Sequence, residues 1–231
     1  MGWLAKRTTT PLPLLALLLL AFGLLVGVGV LTGELLGLVE RPDGSTAVDS
    51  SITSWVVAHR TDGLTTLARA LSTIGSQAVL IPVTAIVTVW LVARRQFVPA
   101  GLLVACWGGG LALYSLVKLF VHRQRPPTEI WLTNVGKTTS FPSGHATQSL
   151  STYFALAVVS AAWLPKLSWS SRALALVLVA GVGWSRVYLG VHWATDVAAG
   201  WLFAALWVLI VLRFAAAAGP IEQRCRAARG G

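Results

Sequence analysis

Apolar stretches of about 20 residues dominate this sequence and limit what it can fold into. Six of them alternate with shorter, more polar segments, at 12–31, 76–93, 99–121, 144–164, 173–190 and 192–216. Each is close to the ~20 residues that a helix needs to cross the hydrocarbon core of a bilayer. We therefore predict an all-α polytopic membrane protein, a bundle of six transmembrane helices.

The composition excludes an ordinary soluble domain and gives no support for nucleic-acid binding. Hydrophobic residues make up 55% of the chain and charged residues 11%, whereas soluble domains are about 25% charged. The net charge of +10 is spread over short loops, without the single basic face or tail that binds nucleic acid. This pattern favours membrane topology and an anionic substrate.

The basic residues also orient the chain. If the N-terminus is cytoplasmic, ten of the 18 Lys and Arg residues fall on the inner side, as the positive-inside rule requires. A cleaved signal peptide competes with the first span, but its apolar core is usually about 7–15 residues long and precedes a small-residue cleavage site. The first run is longer and lacks that site, so we predict an uncleaved span and cytoplasmic termini.

We predict one structural domain in three parts. Residues 1–75 supply the first span and two short interfacial helices on the outer face, 76–216 form a five-span core, and 217–231 form a basic cytoplasmic tail. The interfacial helices are indicated by "DSSITSWVVAHR", with Asp49 as N-cap, and by "TDGLTTLARALSTIG", since both place apolar residues at helical spacing.

No metal or other cofactor is predicted. The two cysteines, Cys106 and Cys225, lie in an apolar run and in the basic tail, and they lack metal-type spacing. With four histidines in the whole chain, too few ligands remain for a zinc site. The sequence does not indicate an oligomeric state.

Three polar stretches fall at one membrane face in the six-span arrangement. They are "KLFVHRQRP" (118–126) after the third span, "PSGH" (142–145) before the fourth, and "SRVYLGVHWATD" (185–196) between the fifth and sixth. The orientation above makes this the outer face. Topology therefore predicts that the three stretches converge there.

The cations of these stretches suit an anionic ligand. Lys118, Arg125 and Arg186 lie within or beside apolar runs, where each alone could be a helix-end residue that extends its charge to the interface. Three cations on one face, together with two histidines, are typical of a clamp for a multiply charged anion. Arginine binds phosphate through a planar fork and lysine as a point charge.

The "PSGH" stretch predicts a helix start built around a phosphate. Pro142 suits the beginning of a helix, and Ser143 and Gly144 allow the backbone to approach a ligand closely. The first N–H groups of a helix are free to bind an anion, and His145 would lie above it. The alternative is an ordinary N-cap with a surface histidine.

His192 and Asp196 are four residues apart, so on a helix they would share a face and touch. An isolated acid among apolar residues is costly in a membrane, and His192 is its obvious partner. A carboxylate on one ring nitrogen makes the other nitrogen a better nucleophile or base. The alternative is a buried polar pair that only stabilises helix packing. His122, Arg123 and Lys137 lie nearby. They could guide the lipid head group or be solvated loop residues, and we favour the second interpretation.

Together these stretches resemble the three-part signature of the type 2 phosphatidic acid phosphatase family, which is related to vanadium haloperoxidases. The signature residues, in order and suitably spaced, are Lys118, Arg125 and Pro126, then Pro142 to His145, then Ser185, Arg186, His192 and Asp196. The resemblance covers 118–196, and the six-span pattern extends it over most of the chain. The N-terminal third matches in topology only.

The resemblance implies a membrane enzyme that removes phosphate from lipid phosphates without metal. His192 would be the nucleophile and form a phosphohistidine, Asp196 would orient it, and His145 would protonate the leaving oxygen and then activate water. The phosphate oxygens would be held by Lys118, Arg125, Ser143, Gly144 and Arg186. This agrees with electrostatic positioning as the main source of catalysis in phosphoryl transfer.

The outward-facing site suggests undecaprenyl or another polyprenyl diphosphate as the lipid substrate, with phosphatidylglycerol phosphate or phosphatidic acid as alternatives. A lipid phosphotransferase would use the same phosphohistidine. A non-enzymatic transporter would also have six spans and buried charges, but it would not need two histidines and an aspartate at these spacings. A soluble haloperoxidase does not fit so apolar a chain.

Overall fold

The fold is entirely helical, as predicted. The computed structural model describes residues 11–136, 138–163 and 165–229. No strand occurs within these residues, and their α-helices are α1 Pro11–Gly37, α2 Ala47–Ala58, α3 Asp62–Ile74, α4 Gln77–Ala93, α5 Phe97–Phe120, α6 Gly144–Trp163, α7 Ser168–Tyr188 and α8 Ala194–Arg229. Short 3-10 turns at Thr128–Ile130 and Pro165–Leu167 complete the secondary structure.

Within the described ranges, fewer helices than six have the length and apolar character of a membrane span. Three do, at Leu14–Gly37, Phe97–Phe120 and Ala194–Ala216, and the bent pair α3 and α4 could supply a fourth. Helices α6 and α7 have 20 and 21 residues but carry the polar residues of the predicted site. The six-span arrangement therefore stays a prediction.

The outer surface of the bundle is apolar, as lipid contact requires. Leu15, Leu19, Leu24 and Leu31 of α1 each expose more than half of their surface. Further large apolar side chains are exposed on α4, α5 and α7. An apolar surface of this extent is rare on soluble monomers and marks an interaction or membrane surface, which is consistent with helices in a membrane.

Helix α6 lies at the centre of the bundle and packs against α5, α7 and α8. The main apolar core fills the space between α1, α5, α6 and α8, with Phe141, Phe203 and Trp207 among its largest members. Close approach is possible at Gly200 of α8, because a Cβ there would lie 2.9 Å from the carbonyl oxygen of Ser143. The core thus holds the start of α6 against the start of α8.

Several predicted boundaries need correction. Helix α1 continues to Gly37, six residues beyond its predicted end, and α8 begins at Ala194, two residues after the predicted start at His192. Helix α8 also continues without a break to Arg229, through the segment predicted as a separate tail. The side chains of that tail, including Cys225, lie outside the described part of the structure, as do Lys6 and Arg7.

The N-terminus of α2 also differs from the prediction, because its N-cap is Thr46 and not Asp49. The Thr46 hydroxyl accepts a hydrogen bond from the Asp49 N–H, and the Asp49 carboxylate accepts one from the Thr46 N–H. This reciprocal pair is a capping box, in which the acidic residue occupies the third helical position. The helix therefore begins three residues earlier than Asp49 suggested.

Two adjacent glycines of α5 provide a test of this packing. A Cβ at Gly109 would lie 2.2 Å from the indole of Trp207, whereas one at Gly108 would meet nothing within 4 Å. We expect Gly109→Ala to destabilise the protein by about 1–3 kcal/mol through overpacking. Gly108→Ala should be neutral or stabilising by up to about 1 kcal/mol, because alanine favours helix. Thermal unfolding of both variants in detergent measures the difference, and equal midpoints would contradict the packing described.

Candidate active site

The three predicted stretches meet at one end of the bundle. The ends of α5 and α7, the starts of α4 and α6, and the loops that follow α5 and precede α8 surround a cavity of about 240 Å³, which we call the basic cavity. Six of the eight predicted site residues line it: Lys118, Arg125, Gly144, His145, Arg186 and His192. Gly75, Gln77, Tyr114, Val135, Thr138 and Gln148 complete its wall.

The three cations of the basic cavity are held in place by neutral oxygens. Lys118 donates to the backbone carbonyls of Thr139 and Ser140. Arg125 donates from Nε to the carbonyl of Thr138 at 2.9 Å and from Nη2 to the hydroxyl of the same residue at 2.9 Å. Among the described residues none of the three cations forms an ion pair with a carboxylate, so the cavity is prepared for an anion.

Arg186 reaches the cavity from the last turn of α7 and is almost fully buried, with 3% of its surface exposed. Its Nη1 donates to the Ser72 hydroxyl of α3. Its Nε has no hydrogen-bond partner among the described residues, and neither does the side-chain amide of Gln148 or the Oε1 atom of Gln77. Buried polar groups are normally paired, and these three line the same cavity, which indicates a polar ligand.

Helix α6 begins at the wall of the cavity, as the "PSGH" stretch predicts. Gly144 and His145 line the cavity, and the packing of Gly144 is close, since a Cβ there would lie 3.1 Å from the Tyr114 ring. Ser143 is fully buried and is not among the cavity residues. Its hydroxyl accepts a hydrogen bond from the N–H of Ala146 at 3.5 Å. Ser143 therefore caps the helix, and its predicted contact with phosphate stays a prediction.

His192 lies in the loop between α7 and α8, and the prediction that it is helical is wrong. It still contacts Asp196, because the loop turns the ring toward the first turn of α8, with Nδ1 3.3 Å from Asp196 Oδ2. The other ring nitrogen, Nε2, lies 3.2 Å from Arg125 Nη1. One nitrogen is thus paired with a carboxylate, and the other lies beside a cavity cation.

The carboxylate of Asp196 is fully buried and saturated with donors. Its Oδ2 atom accepts hydrogen bonds from the Trp193 N–H at 3.0 Å and from the Ser140 hydroxyl. Its Oδ1 atom lies 2.6 Å from Nη1 of Arg123. The sequence predicted His192 as the partner of this acid but missed Ser140 and Arg123.

The protonation state of His192 follows from its surroundings. Burial lowers the pKa of this imidazole, and the nearby charge of Arg125 adds to the effect, while the hydrogen bond to Asp196 opposes it. The net direction is downward, so His192 is neutral at pH 7. A neutral ring with Nδ1–H donated to Asp196 leaves Nε2 unprotonated, and its lone pair faces the N–H of Arg125 Nη1 at 3.2 Å.

The prediction that Arg123 is a solvated loop residue is wrong. Its side chain is 2% exposed and lies among the carboxylates of Glu40, Asp49 and Asp196, at 2.6–2.7 Å. A buried charge is costly unless it is paired, and these partners supply the pairing. His122 is exposed, as expected, and Lys137 lies outside the described residues.

Comparison with known proteins identifies the family of this chain. The PAP2 superfamily model matches residues 99–220. A decaprenylphosphoryl-5-phosphoribose phosphatase of Mycobacterium tuberculosis is 34% identical over 71% of this chain and 86% of its own. An undecaprenyl-diphosphatase of Sulfolobus acidocaldarius is 31% identical over 66% of this chain and 71% of its own.

A solved structure extends the similarity to the fold. The crystal structure of a transmembrane PAP2-type phosphatidylglycerolphosphate phosphatase from Bacillus subtilis superposes with a TM-score of 0.70 at 26% identity, over 82% of this chain and 94% of that one. The family model covers more than half of the chain, and its match includes every predicted site residue. This chain therefore belongs to the PAP2 superfamily.

Proposed function

We propose that this protein is a membrane hydrolase that removes the terminal phosphate from a lipid phosphate through a phosphohistidine at His192. The observation that carries the proposal is the two-sided arrangement of His192. Asp196 accepts from Nδ1, while Nε2 points toward Arg125 in a cavity whose other cations are Lys118 and Arg186. A nucleophile oriented by a carboxylate and surrounded by uncompensated cations matches the requirements of phosphoryl transfer.

In the first step, the lone pair of His192 Nε2 attacks phosphorus and forms an N–P bond. The bond between phosphorus and the lipid oxygen breaks, and its electron pair leaves on that oxygen. His145, which lines the same cavity, donates a proton to the leaving oxygen, so that a neutral hydroxyl or a protonated phosphate departs. Asp196 stabilises the positive charge that develops on the imidazole.

In the second step, water attacks the phosphohistidine. His145 now takes a proton from that water, the N–P bond breaks, and its electron pair returns to Nε2. Inorganic phosphate leaves and both histidines recover their starting states. Positioned general acid–base catalysis of this kind contributes about 10²–10⁴-fold.

The cations and the start of α6 supply the charge stabilisation. Phosphate oxygens carry negative charge throughout the reaction, and Lys118 of α5, Arg125 of the loop after it and Arg186 of α7 would bind them, since all three line the cavity. The N–H groups of the first turn of α6 point toward the cavity end of that helix, where an anion is favoured by the helix dipole. Such fixed donors need no rearrangement as the reaction proceeds.

A polyprenyl diphosphate is the lipid we favour, for the topological reason that an outward-facing site can recycle a cell-wall lipid carrier. The Sulfolobus relative is an undecaprenyl-diphosphatase, which supports this choice. The Bacillus structure is that of a phosphatidylglycerolphosphate phosphatase, which supports the alternative. Both choices need the same phosphate pocket.

Phosphate release by the purified protein tests the proposal. The substrates are undecaprenyl diphosphate, phosphatidylglycerol phosphate and phosphatidic acid, each presented in detergent with EDTA. A clear preference for one lipid would name the physiological reaction. Similar rates on all three would mean that specificity depends on which lipid reaches the site in the membrane. If no substrate releases phosphate, the hydrolase proposal fails, and transfer to a lipid acceptor becomes the next reaction to assay.

Two inhibitors distinguish this mechanism from a metal-dependent one. Because cationic side chains are expected to bind the phosphate, we expect EDTA to leave the rate of phosphate release unchanged. Vanadate adopts the five-coordinate geometry of the reacting phosphorus, so we expect competitive inhibition. Rates measured with EDTA, with added magnesium and over a vanadate series check both points. A strict magnesium requirement would contradict the mechanism.

A further inference from the structure

Arg123 is the centre of a buried charge cluster behind the basic cavity. Its Nη1 lies 2.6 Å from Asp196 Oδ1, its Nη2 lies 2.7 Å from Asp49 Oδ2, and its Nε lies 2.6 Å from Glu40 Oε1. Nε also donates to the carbonyl of Gly44 at 3.2 Å. One guanidinium therefore joins the predicted orienting carboxylate to two acids from the N-terminal third of the chain.

Asp49 also reinforces the start of α8 directly. Its Oδ1 atom accepts from the Thr195 N–H at 3.0 Å, and its Oδ2 atom accepts from the Thr195 hydroxyl at 2.8 Å. The same hydroxyl accepts from Arg123 Nη1 at 2.7 Å. A carboxylate at the first turn of a helix satisfies free N–H groups and favours the helix dipole. The first turn of α8, which carries Asp196, is thus held by α2.

We propose that Arg123 is a positioning residue for the nucleophile, acting through Asp196, and that Asp49 on α2 completes this positioning unit. The inference rests on the proposed function, because it assigns Asp196 as the group that orients His192. It makes Glu40 and Asp49 part of the active centre, although both residues lie far from the signature stretches in sequence.

The geometry explains why an arginine is needed. Arg123 occupies Oδ1 of Asp196, which leaves Oδ2 to face Nδ1 of His192. The planar fork of arginine can bind two carboxylates in fixed directions, whereas lysine offers one charged point. Burial alone would lower the pKa of Arg123, but Asp196, Asp49 and Glu40 together raise it. The guanidinium therefore stays charged and keeps the carboxylate from turning.

Substitution of Arg123 should impair turnover more than substrate binding. We expect Arg123→Ala to lower kcat roughly 10- to 100-fold, by analogy with the loss of a residue that orients a metal ligand. KM should change by less than about threefold, because Arg123 does not line the cavity. Arg123→Lys, which keeps the charge without the fork, should recover part of kcat.

The pH profile separates positioning from general structural damage. The imidazole of His192 must be neutral to attack, so the low-pH limb of kcat/KM reports its pKa in the free enzyme. Arg123→Ala removes a positive charge from the cluster, so we expect the limb to move to higher pH. Asp49→Asn removes a negative charge at nearly constant side-chain shape. Because this disfavours the protonated imidazole of His192, we expect the low-pH limb of kcat/KM to move to lower pH. The charged and titratable groups around His192 that stay unchanged are Asp196, Lys118, Arg125, His145 and Arg186.

Arg41→Ala is the matched control, since Arg41 lies in the same segment but is exposed and donates to Ser50. It should keep the wild-type kcat and pH profile. If Arg123→Ala does not fold, the shift of the low-pH limb of kcat/KM in Asp49→Asn still tests the proposal. If both variants fold but the low-pH limb of kcat/KM stays at its wild-type position, the positioning proposal is overturned, whether or not the variants are less stable. The proposed phosphatase function would still stand. An inactive wild type would instead defeat the proposed function itself.

Discussion

The His192→Ala variant is expected to release no phosphate above the uncatalysed background. The substitution removes Nε2, the atom that forms the N–P bond, and no other described side chain is placed to replace it opposite Arg125. Loss of a covalent nucleophile typically lowers kcat by about 10⁶-fold. The measurement is phosphate release under saturating lipid substrate, in the same detergent as the wild-type protein.

His122→Ala is the matched control for this variant. His122 is exposed in the loop after α5, and its ring contacts the carbonyl of Phe120. The same change there should leave kcat within about twofold of wild type, as expected for a surface substitution. If His192→Ala kept substantial activity in a folded protein, the assignment of the nucleophile would be wrong.

The Arg186→Ala variant is expected to show the second largest effect. This buried guanidinium lines the basic cavity with its Nε free of protein partners within the described residues. Removing one fixed donor to a developing anion costs roughly 10²–10³-fold in rate. We expect a loss of kcat/KM of that size, with partial recovery in Arg186→Lys, because lysine restores the charge but not the fork.

Arg172→Ala supplies the comparison on the same helix. Arg172 lies in the first turn of α7 and stacks over the Trp169 ring at 5.8 Å, at the opposite end from Arg186. Its removal should leave kcat/KM unchanged. Steady-state kinetics on both variants decide the point, and equal effects at the two ends of α7 would argue against a specific phosphate contact for Arg186.

Local patterns were sufficient to predict the parts of the site that are close in sequence. The spacing of His192 and Asp196 predicted their contact, and "PSGH" predicted where α6 begins. The convergence of the three stretches followed from helix order, because alternating helices bring the end of one beside the start of the next. As a result, six of the predicted site residues line one cavity.

The positioning unit could not be found in this way. Arg123 meets Glu40 and Asp49 across more than 70 residues of chain, and no local periodicity carries that information. The available signals were weak: two acids in one short segment, and an arginine two residues before Arg125. Both were consistent with solvated loops, which is the commoner state of such residues.

Two other differences have local causes. The T-x-x-D pattern at Thr46 and Asp49 fits a capping box, which places the N-cap at Thr46 and Asp49 at the third helical position. Helices α6 and α7 contain the polar residues that build the site, and these lower their apolar character below that of α1, α5 and α8. The length of the apolar runs therefore predicted six spans, whereas helix length and apolar character together support three, or four with the bent pair α3 and α4, among the described residues.

Detection of the covalent intermediate tests the central claim most directly. A lipid substrate labelled with ³²P at its terminal phosphate would be mixed with the enzyme, quenched in alkali within milliseconds, and the labelled peptide identified by mass spectrometry. The mechanism predicts an alkali-stable, acid-labile phosphoramidate on His192 that is absent from His192→Ala. Efficient turnover with no label on His192, or label on another residue, would contradict it.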